Sequence, residues 1–217
     1  MAGSALPVVA GVGGSKPERL AEERPRIGVL ALQGAFREHL RMLAELGAPA
    51  REVRVPGDLE GLEGLVIPGG ESTTMGLLME TGGLLAPLRE FVVKHPVLGT
   101  CAGLIMLARE TVDGEQPLLG VMDVTVRRNA FGRQNRSFEG SVELSLNPDS
   151  CEGFHGIFIR APWVERAGPD VEVIARLDER IVGVRQDRMI GVAFHPELGH
   201  DTRLHAYFLE SVAAVRR

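Results

Sequence analysis

The sequence predicts an α/β fold of three layers, a mainly parallel central sheet flanked by helices, and three observations carry that expectation. Short apolar runs at 26–32, 65–67 and 97–99 have the length and the Val and Ile content of strands buried on both faces. Two of them run into glycine-rich stretches, Pro68-Gly69-Gly70-Glu71-Ser72 and Gly99-Thr100-Cys101-Ala102-Gly103. Helical spacing follows these stretches, and strands that alternate with helices imply a parallel sheet with right-handed crossovers.

Arg26 to Leu32 is the first strand, ended by Gln33-Gly34. Phe36, Leu40, Leu43 and Leu46 then recur at helical spacing until Gly47 and Pro49 stop the helix. Arg51 to Val55 reads as a second strand and Leu65 to Ile67 as a third, with helical segments from Thr73 to His95. Val97 to Gly99 is the next strand, and a helix runs on through Ala108. From Val121 the pattern changes to alternation, with Val124 and Val126, then Val142, Leu144 and Leu146, then Ile157 and Ile159. Val171 to Ala175, Ile181 to Val184 and Met189 to Phe194 continue it, before a closing helix from Asp201 to Val215.

The chain has 217 residues, 44% of them hydrophobic, enough for one well-buried core and too few for two. The glycine-, alanine- and proline-rich segment 1–25 reads as a flexible leader, and 26–217 as one domain. A formal net charge of −5 gives no basic field to attract nucleic acid. No apolar run approaches the ~20 residues needed to span a bilayer, so no membrane contact is expected. Cys101 and Cys151 are the two cysteines. They form no CxxC pair, a disulfide between them is not expected, and a reducing, cytoplasmic setting is the simpler fit.

Gly99-Thr100-Cys101-Ala102-Gly103 has the form of a nucleophile elbow with sulfur in place of oxygen. A sharp strand-to-helix turn crowds the nucleophile, flanking residues without Cβ relieve the clash, and the start of a helix favours the thiolate. Taken alone, the motif is equally a buried cysteine in a glycine-rich turn. Phe194-His195-Pro196-Glu197 shifts that balance, because residues i and i+2 of an extended segment point to one side and place a carboxylate against an imidazole. By itself the tripeptide is also a surface turn at a strand end.

The amides of Gly69, Gly70, Glu71 and Ser72, joined by that of Ala102, are candidates for an oxyanion hole, although the same loop suits a helix cap or a phosphate. Arg127, Arg128, Arg133 and Arg136 form a basic cluster that is either a solvated face or a hold for a substrate carboxylate. His39, His95, His155, His200 and His205 have no metal-like spacing. No metal and no cofactor is expected.

Together and in this order, PGGES, GTCAG and HPE resemble the class I triad glutamine amidotransferases, whose fold is flavodoxin-like. More narrowly, the chain from Arg26 onward resembles the glutaminase subunits of pyridoxal 5'-phosphate synthase. The motifs that carry this are Leu32-Gln33-Gly34-Ala35 with Arg37-Glu38-His39, Pro68 to Met75, Gly99 to Ile105, Arg128-Asn129 with Phe131-Gly132-Arg133-Gln134, Phe158 to Pro162, and Phe194 to Leu198. The segment before Arg26 departs from the family pattern.

The resemblance implies hydrolysis of L-glutamine to glutamate and ammonia, the ammonia passing to a synthase subunit within a large hetero-oligomer. It makes Cys101 the nucleophile, His195 the base and Glu197 its orienter. It assigns Gly70, Glu71, Ser72, Arg128, Ile159 and Arg160 to glutamine, and places Gln33 near the oxyanion region, sensitive to partner docking. Two rival readings are a different cysteine hydrolase and an idle member of the fold acting as a binding subunit. In the first the acid normally lies between nucleophile and histidine in sequence. The second sits poorly with a full triad.

Overall fold

The computed structural model describes residues 25–132, 137–147 and 151–216. The expected leader, apart from Pro25, lies outside them, as do Arg133, Gln134 and Arg136. In chain order the elements are β1 (Ile27–Leu30), α1 (Phe36–Glu45), β2 (Arg51–Val53), β3 (Gly64–Ile67), α2 (Ser72–Thr81), α3 (Leu85–Lys94), β4 (Val97–Thr100), α4 (Ala102–Leu107), β5 (Ala108–Thr111), β6 (Met122–Arg127), β7 (Ser137–Leu144), β8 (Glu152–Ile159), β9 (Trp163–Ala167), β10 (Glu172–Leu177), β11 (Arg180–Gln186), β12 (Met189–Val192) and α5 (Arg203–Val215). Single 3-10 turns at Pro56–Leu59 and Pro196–Leu198 complete the path.

Five adjacent strands, in the order β2-β1-β3-β4-β12, are parallel. Every residue of β1, β3, β4 and β12 is buried, as their unbroken apolar runs require. Beyond β12 the sheet turns antiparallel through β11, β10, β7 and β8. A branch of β9, β6 and β5 leaves from β11. The parallel part therefore ends against an extension, antiparallel except for the β5–β6 pair, that holds the strands from β5 to β11.

Successive side chains of a strand face opposite ways, so the register assigns each helix a side. Ile67 and Gly99 are aligned partners and face α4. A Cβ at Gly103 would stand 2.1 Å from the Ile67 carbonyl oxygen, and one at Gly99 would stand 2.7 Å from the Gly103 carbonyl carbon. Neither position has room for a side chain, and this close approach is the crowding that the GTCAG glycines relieve. On the opposite face a Cβ at Gly64 would meet Val212 and Phe208 of α5, and Thr100 meets His39 of α1. With helices on both faces, the three layers follow.

Three boundaries and one strand illustrate how the structure departs from the sequence expectation. The helix after Cys101 ends at Leu107, because Ala108 already pairs with Met122 as the start of β5. The second strand stops at Val53. Pro56 opens a 3-10 turn, and the Asp58 carboxylate accepts from the amides of Arg54 and Val55, at 2.8 and 3.0 Å. β12 ends at Val192, and Phe194 continues as extended chain into the site. β9 was not expected: Val164 is its one buried residue, so it shows no alternation, and pairing with β6 and β11 makes it a strand.

Candidate active site

Parallel strands end at one edge of the sheet, and that edge collects the predicted chemistry. Gln33 follows β1, the Pro68–Ser72 stretch follows β3, Cys101 follows β4 and His195 follows β12. β8 closes the arrangement from the antiparallel side: the His195 amide donates to the Ile157 carbonyl at 2.8 Å, and the Cys101 Sγ lies 3.9 Å from the Ile159 carbonyl. These loops enclose a pocket of about 140 Å³ lined by Gly70, Glu71, Ser72, Cys101, Ile105, Arg128, Asn129, Ile159, Arg160 and His195.

Cys101 sits between β4 and α4 with φ 49° and ψ −100°. Its amide donates to the Val192 carbonyl at 2.8 Å, which locks the turn against the neighbouring strand. Five non-glycine residues among those described have a left-handed φ, and Cys101, Asn129 and Arg160 are three of them, all on this pocket. Such backbone persists only where surrounding structure holds it, and here β4, β8 and the turn after β6 do so. The Ala130 amide, bonded to the Ala161 carbonyl at 3.0 Å, ties the Asn129 and Arg160 turns together.

His195 and Glu197 are both buried. The His195 Nδ1 is 2.7 Å from the Glu197 Oε1. Burial alone would lower the imidazole pKa, but hydrogen bonds to Cys101 and Glu197, and the charges of both, push it up to about 10. The ring is thus held between a thiol and a carboxylate and favours the protonated form. A Cβ at Gly69 would lie 2.3 Å from His195 Cε1, 2.8 Å from Nδ1 and 3.3 Å from the Cys101 Cβ, so this glycine is the floor against which the ring lies.

Glu71 does two things at once. Its carboxylate caps α2, accepting from the Thr74 hydroxyl at 2.6 Å and from the amides of Thr73 and Thr74 at 3.1 and 2.8 Å; the Thr74 hydroxyl above all, and then the two amides, hold its pKa down at about 2. Its backbone is clasped by Gln33: the Gln33 Nε2 donates to the Glu71 carbonyl at 2.8 Å, and the Glu71 amide donates to Gln33 Oε1 at 3.2 Å. The loop thus caps a helix with one side chain while its backbone lines the pocket. The Glu71 amide is engaged, whereas the Gly69 carbonyl accepts from Ala35 at 3.1 Å and turns the trans-related Gly70 amide the other way.

The arginine cluster divides. Arg127 points outward and pairs with Glu165 at 3.0 Å, while Arg128 turns into the pocket wall. Its guanidinium donates to Gln116 Oε1 at 2.7 Å, to Thr73 Oγ1 at 3.0 Å and to the Asp113 carbonyl at 3.3 Å. Gln116 also accepts from Ser72 and Thr73, each at 3.2 Å, and so positions the arginine. Gln116, Thr73, Asp113 and Asn129 were missed at the sequence level. Only the adjacency of Thr73 to PGGES and of Asn129 to Arg128 hinted at any of them.

Among the described residues no group of three or more His, Cys, Asp or Glu is arranged to hold a metal ion, and no helix is long and apolar enough to cross a membrane. Both cysteines are free, Cys101 buried and Cys151 exposed.

Comparison with known proteins agrees with this geometry. The model of the SNO glutamine amidotransferase family matches residues 29–214. The chain is 55% identical over 191 residues to the pyridoxal 5'-phosphate synthase subunit PdxT of Parafrankia sp., covering 87% of this chain and 93% of that protein. It is 56% identical to the PdxT subunit of Leifsonia xyli, covering 87% and 96%. Among solved structures, a glutamine amidotransferase superposes with a TM-score of 0.81 at 50% identity, over 86% of this chain and 98% of that one. A second amidotransferase, from Thermotoga maritima, shares only the fold, with a TM-score of 0.59 at 16% identity over 89% and 97%. The chain with this cysteine elbow and buried His-Glu pair belongs to the SNO glutamine amidotransferase family.

Proposed function

We propose that this chain is the glutaminase subunit of a pyridoxal 5'-phosphate synthase, acting as one domain over 26–217. It hydrolyses L-glutamine and delivers ammonia to a synthase partner in a large cytoplasmic hetero-oligomer that involves neither nucleic acid nor membrane. The observation that carries this reading is the buried string of Cys101, His195 and Glu197 opening on a small polar pocket.

The Cys101 thiolate, its proton carried on His195, attacks the side-chain amide carbon of glutamine. The oxyanion is met by the amides of Gly70 and Ala102. His195 then protonates the departing nitrogen, ammonia leaves, and a glutamyl thioester remains on the sulfur. Water, losing its proton to His195, adds to the thioester and releases glutamate with the thiol restored. Glu197 holds the ring and balances its charge. Arg128 faces the α-carboxylate of glutamine, and Glu71, Ser72, Ile159 and Arg160 complete the lining of the pocket.

Ammonia released into water would be lost to the synthesis, so the activity is useful only beside a synthase. Gln33, clasping Glu71, is placed to couple docking to the state of the oxyanion loop. The test is glutamate release by the purified chain with and without a pyridoxal 5'-phosphate synthase subunit. Release stimulated by the synthase, with a glutamine-like affinity label bound at Cys101, supports the reading. Hydrolysis of peptides or esters instead of glutamine, or an unlabelled thiol with synthase present, overturns it.

Gly69→Ala offers a second check. The added Cβ would displace the His195 ring, and misplacement of a reacting group by about 1 Å costs roughly 100-fold in rate. Glutamate release by a folded Gly69→Ala chain, checked by circular dichroism, is expected to fall by that order.

A further inference from the structure

Behind the triad lies a second polar group that the mechanism above does not use. His39 on α1 and His205 on α5 are fully buried in the layer on the far face of the sheet, together with Thr100, the residue before the nucleophile. The His39 Nδ1 is 2.9 Å from the His205 Nε2, and the His39 Nε2 is 3.1 Å from Thr100 Oγ1 and 3.4 Å from Glu197 Oε2. That second carboxylate oxygen is buried and has no hydrogen bond as placed.

The chemistry of these groups selects one proton arrangement. A carboxylate only accepts, so a bare Nε2 lone pair facing Glu197 would oppose it in a dry interior and leave Oε2 unsatisfied. With the proton on His39 Nε2, the ring donates towards Oε2 and Thr100, and its Nδ1 accepts from His205 Nε2–H. Among the ring nitrogens only the His205 Nδ1 lone pair is then left over, and it indeed has no partner. An unmet acceptor is less costly than an unmet N–H. Burial lowers the pKa of both rings, that of His205 to about 4, so both are neutral near pH 7.

We propose that His39, held by His205, is a positioning residue whose Nε2–H fixes the second oxygen of Glu197 and so sets the face that Oε1 presents to His195. This rests on the triad reading above and adds a layer to it: α1 and α5, distant in sequence, steady the carboxylate that steadies the base. The titratable groups around His39 are Glu197 and His195 from the HPE segment and His205 from α5.

Two measurements test it. In the intact chain labelled with ¹⁵N-histidine, His39 is expected to be neutral and protonated on Nε2 at pH 7, a result independent of any activity. A cation or an Nδ1–H tautomer would overturn the proposal. In glutamate release with the synthase, His39→Leu is expected to lower kcat by about tenfold with KM for glutamine changed less than about twofold, since only alignment of the base is lost. His39→Gln, whose amide nitrogen can take the place of Nε2, is expected to recover most of that kcat. An unchanged kcat in His39→Leu, or no recovery in a folded His39→Gln chain, removes the positioning role. Loss of activity in Cys101→Ala checks the triad reading separately.

Discussion

Cys101→Ala is expected to lower synthase-stimulated glutamate release by about 10⁴-fold or more, the range seen when a covalent nucleophile is removed and only binding and oxyanion contacts remain. Without sulfur no thioester forms, and water would have to attack glutamine directly. The loss should not come from unfolding, because the change removes one atom from a side chain already 5% exposed, and the backbone bond from the Cys101 amide to Val192 stays. The variant should melt close to the parent and still bind the synthase. Steady-state glutamate assays with a thermal melt check this; activity within tenfold of the parent would sink the assignment.

Glu197→Gln carries the next largest effect. The amide keeps the shape of the carboxylate but not its charge, so the imidazolium that forms as Cys101 yields its proton loses its counter-ion. By analogy with the Asp-to-Asn change in serine hydrolase triads, kcat is expected to fall by roughly 10²- to 10⁴-fold. Stability should report the same change. The folded pKa of His195, about 10, lies above its ordinary 6.5. Its pairing therefore contributes in full below about pH 6.5 and is lost as pH rises through about 10. With the charge of Glu197 removed, that alkaline loss should move to lower pH, seen as melting curves of parent and variant that diverge between about pH 6.5 and pH 10. Parallel curves would show that Glu197 does not hold the His195 proton.

The parts of the site that could be read from residue order are those where one short segment contains its own geometry. The elbow around Cys101 is legible because Gly99 and Gly103 mark the close contacts, and His195 with Glu197 because two residues apart on extended chain face one way. Residue order alone did not separate Arg128 from Arg127, and only the resemblance singled out Arg128, since opposite faces of one strand end lead them to Thr73 and to Glu165. The strands β5 and β9 were illegible for a related reason. Their pairing partners, rather than any alternation of their own, make them strands.

By itself the sequence determined the alternating α/β plan, the buried parallel strands and the three motifs that end on one sheet edge. Buried strands must be apolar throughout, and a sharp turn must be built from small residues; both demands are local. Only the tertiary structure decided that Gln33 clasps Glu71, that Gln116 braces Arg128, and that His39, His205 and Thr100 stand behind Glu197. His39 and His205 are 166 residues apart. What brings them together is the packing of α1 and α5 on one face of the sheet, and a buried polar cluster of that kind leaves no period or spacing in the chain.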